Sequence, residues 1–221
     1  MWWTLDMSIP RLLDHIVIAG PDLPELVDWF ARRTGVTAAP GGAHPTGTAN
    51  ALVALTVAGA RGPQYIELIG PDPDRDDAAL PTTFGIDALD GPSVQAYAVH
   101  PVDIDAVVAR ARAHGFDPGD VWGLSRRTPA GDLLEWRLTG AAADRLDVPF
   151  LIDWGTTPQP GTGDLPVIEL VSFVREETDP AALQHALDAL GLGDGAAGLV
   201  AGPRARYRLA LRRADGGVVE F

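Results

Sequence analysis

The chain has 221 residues, a formal net charge of −13 and a sequence pI of about 4.6. A polyanion repels the phosphates of nucleic acids and anionic membrane surfaces, so we expect neither as a partner. The chain has no cysteine, which excludes disulfides, thiolate metal sites and cysteine nucleophiles. All of its basic residues are arginines, which excludes Schiff-base chemistry and a P-loop lysine.

The amino-terminal segment, Met1 to Leu13, has no basic residue before Arg11 and no long apolar run. It therefore does not match a secretory signal. No stretch of the chain approaches the ~20 consecutive apolar residues that a membrane-spanning helix needs. From these features we expect a cytoplasmic protein.

A first strand–helix unit opens the chain. His15 to Ala19 is rich in β-branched residues, which predicts a strand. Asp22 is typical of the residue that caps the start of a helix, and Gly35 of the residue that ends one. Two further strands, joined by a Gly/Pro turn, are predicted at Asn50 to Val57 and Gln64 to Ile69.

A second unit repeats this order, with strands at Val94 to Val99, near Val121 and at Leu133 to Leu138, and a helix at Asp103 to Ala113. Aligning Pro21 with Pro101 gives an offset of 80 residues, and the same offset aligns Gly35 with Gly115. Because the proline pair and the glycine pair align at the same offset without a gap, we interpret the two units as copies of one structural module.

A fainter third unit follows a linker. The segment 156–164 is rich in Pro, Gly and Thr, which is typical of a linker. Beyond it, Val167 to Val174 predicts a strand, Asp179 to Leu190 a helix, and Ala214 to Gly217 the turn of a hairpin. An edge strand in this unit would seek a partner, which favours either a cap on the sheet or a homodimer.

The repeated strand–helix–strand–strand–strand order predicts an α+β fold. We expect βαβββ modules to form curved mixed sheets around a cleft, with the βαβββ-like third unit at the carboxyl terminus. The predicted organisation begins with a domain of two modules at residues 1–155, in which the modules span 12–71 and 93–140. A linker follows at 156–164 and a third module at 165–221.

Four sequence segments carry a family resemblance: LDHIVIAGPDLPELVDWF, HPTGTANAL, YIELIGPDP and PFLIDW. Together they resemble the glyoxalase-like branch of the vicinal-oxygen-chelate superfamily, which groups glyoxalases, bleomycin-resistance proteins and extradiol dioxygenases. The resemblance covers about Leu12 to Trp154. It implies paired modules around a small-molecule cavity and four metal ligands, namely a His or Gln on each first strand and a Glu on each last strand.

Side chains alternate between the two faces of a strand, which sorts the candidate ligands. Ile66 and Leu68 suit a face covered by a helix, so Glu67 is predicted to point into the cleft. His15 shares the cleft face of the first strand, and Gln95 lies 80 residues further on. The resemblance implies that His15, Glu67 and Gln95 hold a divalent metal, with Zn, Ni, Mn and Fe as candidates.

The fourth ligand position has two candidates in the strand Leu133 to Leu138. Matching ELIG of the first unit to RLTG of the second assigns it to Arg137, which would repel a metal and bind a substrate carboxylate instead. A bulge would assign it to Glu135. Glu67 and Glu135 are the candidate catalytic carboxylates that would move a proton.

Three further residues are candidate substrate contacts. His44 and Asn50 lie in HPTGTANAL, and the resemblance carries over their role as substrate contacts. Arg126 and its neighbour Arg127 precede Pro129 near the mouth of the second unit, where one of them could bind an anionic group. A solvated strand edge is the alternative for this arginine pair.

Two functions remain open from the sequence. The first is a metal-dependent lyase, isomerase or dioxygenase that acts on a small oxygenated molecule. The second is a metal-free protein of the same fold that binds or sequesters a small molecule, with Arg137 or Arg126 fixing its anionic group. The chain has no G-x-S-x-G, dinucleotide-binding G-x-G-x-x-G or H-E-x-x-H motif, which argues against the chemistries that those motifs mark.

Overall fold

The computed structural model describes residues 9–75, 79–140, 145–193 and 196–221. The prediction about a secretory signal rests mainly on residues 1–8 and so lies outside the described residues. Among the helices that are described, none is long and apolar enough to cross a membrane.

The first module has one helix and four strands, β1 (Leu13–Ala19), α1 (Leu23–Thr34), β2 (Ala39–Ala43), β3 (Thr48–Val57) and β4 (Ala60–Pro71). Its strands lie side by side in the order β2-β3-β4-β1, with β1 and β4 parallel and the other pairs antiparallel. Parallel neighbours need a long connection, and α1, β2 and β3 together form it.

Helix α1 begins and ends where the sequence predicts. The Asp22 side chain accepts a hydrogen bond from the Glu25 backbone N–H at 2.8 Å and so caps the first turn. Gly35 ends the helix in the left-handed conformation at φ 77°. Leu26 and Phe30 lie one turn apart and are fully buried, so they hold α1 against the sheet.

The second module contains β5 (Ser93–Val99), α2 (Ile104–Ala113), β6 (Val121–Arg127), β7 (Leu133–Thr139) and β8 (Phe150–Asp153). Its order is β6-β7-β8-β5, with β5 and β8 parallel, which repeats the arrangement of the first module. The strand predicted to close this module, Leu133 to Leu138, is therefore its third strand. The closing strand is β8, which lies beyond the predicted module boundary at residue 140.

The two modules form one continuous sheet. Strand β1 pairs with β5 in antiparallel orientation, and its other neighbour is β4. The first strands of both modules therefore lie at the centre of the sheet, and β1 is buried along its whole length. This central position explains why β1 is nearly continuous in apolar and β-branched residues.

The carboxyl-terminal unit contains β9 (Val167–Glu177), α3 (Pro180–Leu190), β10 (Gly198–Ala201), β11 (Arg206–Arg212) and β12 (Val218–Glu220). Strand β9 pairs in parallel with β3 and extends the sheet of the first module. Within the unit, β9 pairs with β10 and β11, whereas the first strand of each other module pairs with its last. The third unit thus attaches to its own chain, and the homodimer stays a prediction.

The sheet separates two apolar layers. Ile16, Ile18, Ile66 and Leu68 point to the layer that contains the helices. Val17, Ala19, Tyr65 and Ile69 point to the opposite layer, where they meet Trp136, Leu138, Phe150 and Trp154 from the second module. The predicted α+β fold of repeated βαβββ modules is confirmed, and the second layer surrounds the cleft.

Candidate functional site

A cavity of about 560 Å³ is lined by residues of both modules. Its polar side chains include His15, His44, Asn50, Glu67 and Arg126, all of which are buried. Aromatic rings form much of the remaining wall, among them Tyr65, Phe84, Trp136, Phe150 and Trp154. The cavity therefore combines a small polar cluster with a large apolar wall, which is the usual composition of a small-molecule site.

His15 and Glu67 face each other across the strand pair β1–β4. Both point into the cavity, as the alternation of the two strands predicts, and the His15 Nε2 and Glu67 Oε2 atoms are 3.6 Å apart. The imidazole stacks on the Tyr65 ring with centroids 4.7 Å apart, and the edge of Phe150 approaches it at 5.4 Å. These rings fix the orientation of His15 within an apolar surrounding.

A buried carboxylate lies behind His15. Asp14 Oδ1 is 2.7 Å from His15 Nδ1, while Asp14 Oδ2 accepts hydrogen bonds from Trp154 Nε1 at 3.0 Å and Gln159 Nε2 at 2.5 Å. Sequence reasoning did not single out Asp14. The available signal was an acidic residue in a strand whose other residues, apart from His15, are apolar, since a buried carboxylate needs partners.

Asn50 and His44 complete the polar cluster of the first module. Asn50 Nδ2 donates to Glu67 Oε1 at 2.6 Å, and it lies 3.4 Å from His44 Nε2. The other ring nitrogen of His44 is 2.9 Å from the Thr48 hydroxyl. Burial lowers the pKa of His44 below its ordinary value, which favours the neutral imidazole. Both predicted substrate contacts therefore line the cavity next to Glu67.

Arg126 brings a cation from the second module into this cluster. Its guanidinium is buried, and Nη1 donates to the Gly41 carbonyl at 2.5 Å. Burial lowers the pKa of Arg126 from its ordinary value, while the charge of Glu67 acts in the opposite direction. Arg127, next in the chain, is exposed and donates to the Gly131 carbonyl at 2.7 Å. Of the arginine pair considered from the sequence, Arg126 is the one that lines the cavity.

The contact between β2 and β6 depends on glycine. Gly42 has a φ of 147°, and a Cβ added there would lie 2.2 Å from the Arg127 carbonyl oxygen. Both facts oppose any other residue at this position.

We expect Gly42→Ala to lower the melting temperature by roughly 2–12 °C, because overpacking costs about 1–3 kcal/mol and each kcal/mol shifts Tm by about 2–4 °C in a chain of this size. Gly59→Ala is the matched control, since Gly59 also has a positive φ but has open space around it. Differential scanning calorimetry of both variants measures the effect. An equal loss in the two variants would contradict a steric role for Gly42.

Glu135 and Arg137 lie on the outer face of β7, which corrects their assignment to the cleft. Both are exposed, and Arg137 forms ion pairs with Asp105 at 2.8 Å and Asp153 at 3.2 Å. Trp136, between them, points into the cavity instead. The apolar face of β7 forms the cavity wall, so the charged face is left to solvent. Glu135 and Arg137 therefore do not meet His15 and Glu67.

Comparison with known proteins identifies the family of the chain. A family model described as a glyoxalase-like domain matches residues 13–191. The chain belongs to this family, within the vicinal-oxygen-chelate superfamily. A search of curated protein sequences finds no match.

Among solved structures, a hypothetical protein from Staphylococcus aureus is 14% identical, with a TM-score of 0.61 over 95% of this chain and 98% of its own. Since 95% coverage must include most of the third unit, that unit belongs to the shared fold. A Streptomyces coelicolor methylmalonyl-CoA epimerase in complex with 2-nitronate-propionyl-CoA is 23% identical over 67% of this chain and 97% of its own, with a TM-score of 0.41. The Mycobacterium tuberculosis epimerase is 22% identical over 69% and 90%, with a TM-score of 0.38.

Gln95 of this glyoxalase-like protein lies outside the cavity, which corrects its assignment as the counterpart of His15. The cavity is lined by the next residue, Ala96. The helix caps Asp22 and Asp103 are 81 residues apart, one more than the offset of 80 that the turn residues gave. A shift of one residue moves a side chain to the other face of a strand, so His15 corresponds to Ala96.

The counterpart of Glu67 in the second module is Phe150. In the first module Glu67 pairs with Val17, two residues after His15. In the second module Phe150 pairs with Ala98, two residues after Ala96. The half-site of the second module is therefore a methyl group and a phenyl ring.

The residues present do not fit the four-ligand metal site that the superfamily implies. The first module supplies two donors, His15 Nε2 and Glu67 Oε2, whose separation of 3.6 Å is compatible with one ion. Ala96 and Phe150 supply none, and the described residues contain no group of three or more His, Cys, Asp or Glu that could hold a metal. Arg126 lines the same cavity and adds a positive charge, which would repel a cation there.

Proposed function

We propose that this glyoxalase-like protein binds a small aromatic carboxylate in the cavity, without a metal. The observation that carries the proposal is Arg126. Its guanidinium is buried among cavity residues, yet the one hydrogen bond described for it goes to the Gly41 carbonyl. A guanidinium has five N–H donors in a planar fork that matches a carboxylate. Binding an anion would satisfy these donors in a dry surrounding, where charge-assisted hydrogen bonds are strong.

The aromatic residues in the cavity wall favour a ligand that contains an aromatic ring. Phe84 packs against Phe150 with ring centroids 5.7 Å apart, and Trp136 packs against Trp154 at 5.3 Å. Such rings favour offset or edge contacts with a further ring. Trp122 also lines the cavity and is 42% exposed, so it lies where a ligand would enter. A volume of about 560 Å³ accommodates a molecule the size of a substituted benzene.

The two functions that the sequence left open require different residues in the second module. A metal-dependent lyase, isomerase or dioxygenase needs ligands where Ala96 and Phe150 lie. A binding or sequestering protein needs a cation and an apolar wall, both of which the second module supplies. The donor set therefore favours the metal-free alternative, with Arg126 rather than Arg137 fixing the anionic group.

Phenylacetate and its neutral isostere phenylacetamide test the proposal. Isothermal titration calorimetry in the presence of a chelator is expected to give a sub-millimolar Kd for phenylacetate and much weaker binding for phenylacetamide. Phenylacetate should also raise the melting temperature, because a ligand that binds only the folded state stabilises it. Equal affinity for the two compounds, or no binding of either, would overturn the proposal.

A further inference from the structure

Asp14 is completely buried, yet three side-chain nitrogen atoms lie within hydrogen-bond distance of its carboxylate. Trp154 Nε1 and Gln159 Nε2 both reach Oδ2, and His15 Nδ1 reaches Oδ1. The indole and amide nitrogens are donors only, so Oδ2 must accept from both. The two donors arrive from residues 140 and 145 positions away along the chain, which fixes the carboxylate from outside its own strand.

This arrangement selects one tautomer of His15. A carboxylate held by other donors presents Oδ1 as an acceptor, so His15 Nδ1 carries a proton and donates it. In a neutral imidazole the other nitrogen, Nε2, then has a free lone pair. That nitrogen is 3.6 Å from Glu67 Oε2, which is also an acceptor. Two acceptors thus face one another at the cavity wall, beyond normal hydrogen-bond distance.

We propose that Asp14 is a positioning residue that holds His15 Nε2 as a proton acceptor, and that the ligand is a hydroxylated aromatic carboxylate. The carboxylate would bind to Arg126, and the hydroxyl would donate to His15 Nε2. The ligand class rests on the proposed function, since it requires the carboxylate to bind at Arg126. The role of Asp14 does not require it, because it concerns the free protein.

The first experiment measures the tautomer without any ligand. In protein labelled with ¹⁵N at histidine, long-range proton–nitrogen correlation spectra report which ring nitrogen carries the proton. We expect His15 to be protonated at Nδ1 and unprotonated at Nε2. A spectrum with the proton on Nε2 would overturn the role of Asp14.

The second experiment compares phenylacetate with ortho-, meta- and para-hydroxyphenylacetate by calorimetry. At least one isomer should bind about 5- to 10-fold more tightly than phenylacetate, the usual effect of one net hydrogen bond. This gain should disappear in His15→Ala/Glu67→Ala. Equal affinity of all four compounds would overturn the ligand class and leave the proposed function intact. Failure of phenylacetate itself to bind would overturn the proposed function and the ligand class together.

The substitution Asp14→Asn tests whether Asp14 positions the proton of His15 or only contributes to packing. Asparagine cannot accept from His15 and from both other donors at once, so the His15 tautomer should become mixed. The gain from the ligand hydroxyl should then fall below about twofold, while phenylacetate affinity changes by no more than about twofold because Arg126 is untouched. An unchanged hydroxyl gain in Asp14→Asn would overturn the positioning role. Should this variant not fold, the tautomer of the parent protein still decides the question.

Discussion

Replacing Arg126 with glutamine is expected to weaken phenylacetate binding roughly 10- to 100-fold, because a hydrogen bond to a charged group contributes about 1.5–3 kcal/mol and 1.4 kcal/mol is tenfold in affinity. The variant removes the buried charge but keeps a polar side chain. Calorimetric titration gives the change in Kd directly. The melting temperature should remain close to that of the parent, since removing Arg126 also removes the cost of burying its charge.

Arg127→Gln is the matched control for this experiment. It lies one residue further along β6, changes the net charge equally, and its side chain donates to the Gly131 carbonyl at the surface. We expect its phenylacetate affinity to equal that of the parent, because exposed charges are screened. An equal loss in both variants would mean that the overall charge, not the buried guanidinium, governs binding. Arg126→Lys should fall between parent and glutamine, since lysine keeps the charge and loses the planar fork.

The site in the first module could be predicted because its strands have two clearly different faces. In β4, Ile66 and Leu68 alternate with Glu67, and only one arrangement buries the aliphatic residues against α1. The same argument holds for Ile16 and Ile18 beside His15. Local alternation was therefore enough to bring His15 and Glu67 together, although they lie 52 positions apart in the sequence.

The second module misled the prediction because its cavity wall is itself apolar. In β7 the alternation separates Trp136 and Leu138 from Glu135 and Arg137 correctly. It cannot tell whether the apolar face meets a helix or a ligand cavity, since both surroundings are dry. The structure assigns the apolar face to the cavity and leaves Arg137 to pair with Asp105. The error in the assignment of Gln95 has a different origin. An error of one residue in the offset between the two modules places the side chain on the opposite face of its strand.

Neither the hydrogen-bond partners of Asp14 nor the attachment of the third unit could be predicted from the sequence, because both depend on contacts between distant parts of the chain. The donors on Asp14 come from Trp154 in the segment after β8 and from Gln159 in the predicted linker. The pairing of β9 with β3 likewise joins strands more than 100 residues apart. Periodicity describes a strand and its faces, whereas partners at this separation are selected by the packing of the whole chain.

Installing the missing ligands is expected to convert the cavity into a metal site. In Ala96→His/Phe150→Glu, the two new side chains would replace a methyl group and a phenyl ring in the wall of the cavity that His15 and Glu67 also line. The variant should melt below the parent without metal, because it loses a buried aromatic ring and brings a second carboxylate near Glu67. Zinc or manganese should then restore stability.

Metal titrations with the parent as control measure this gain. At a metal concentration about 100-fold above Kd, the variant should gain about 2.7 kcal/mol, or roughly 5–10 °C in melting temperature. Mass spectrometry should find about one metal per chain in the variant. The parent and its His15→Ala/Glu67→Ala derivative should both contain far less than one. A parent that takes up one metal, which the double substitution removes, would contradict the metal-free proposal, because two protein donors and solvent would then suffice. If instead only the variant binds metal, the two residues of the second module are what separate this chain from a metal-binding relative of the same fold.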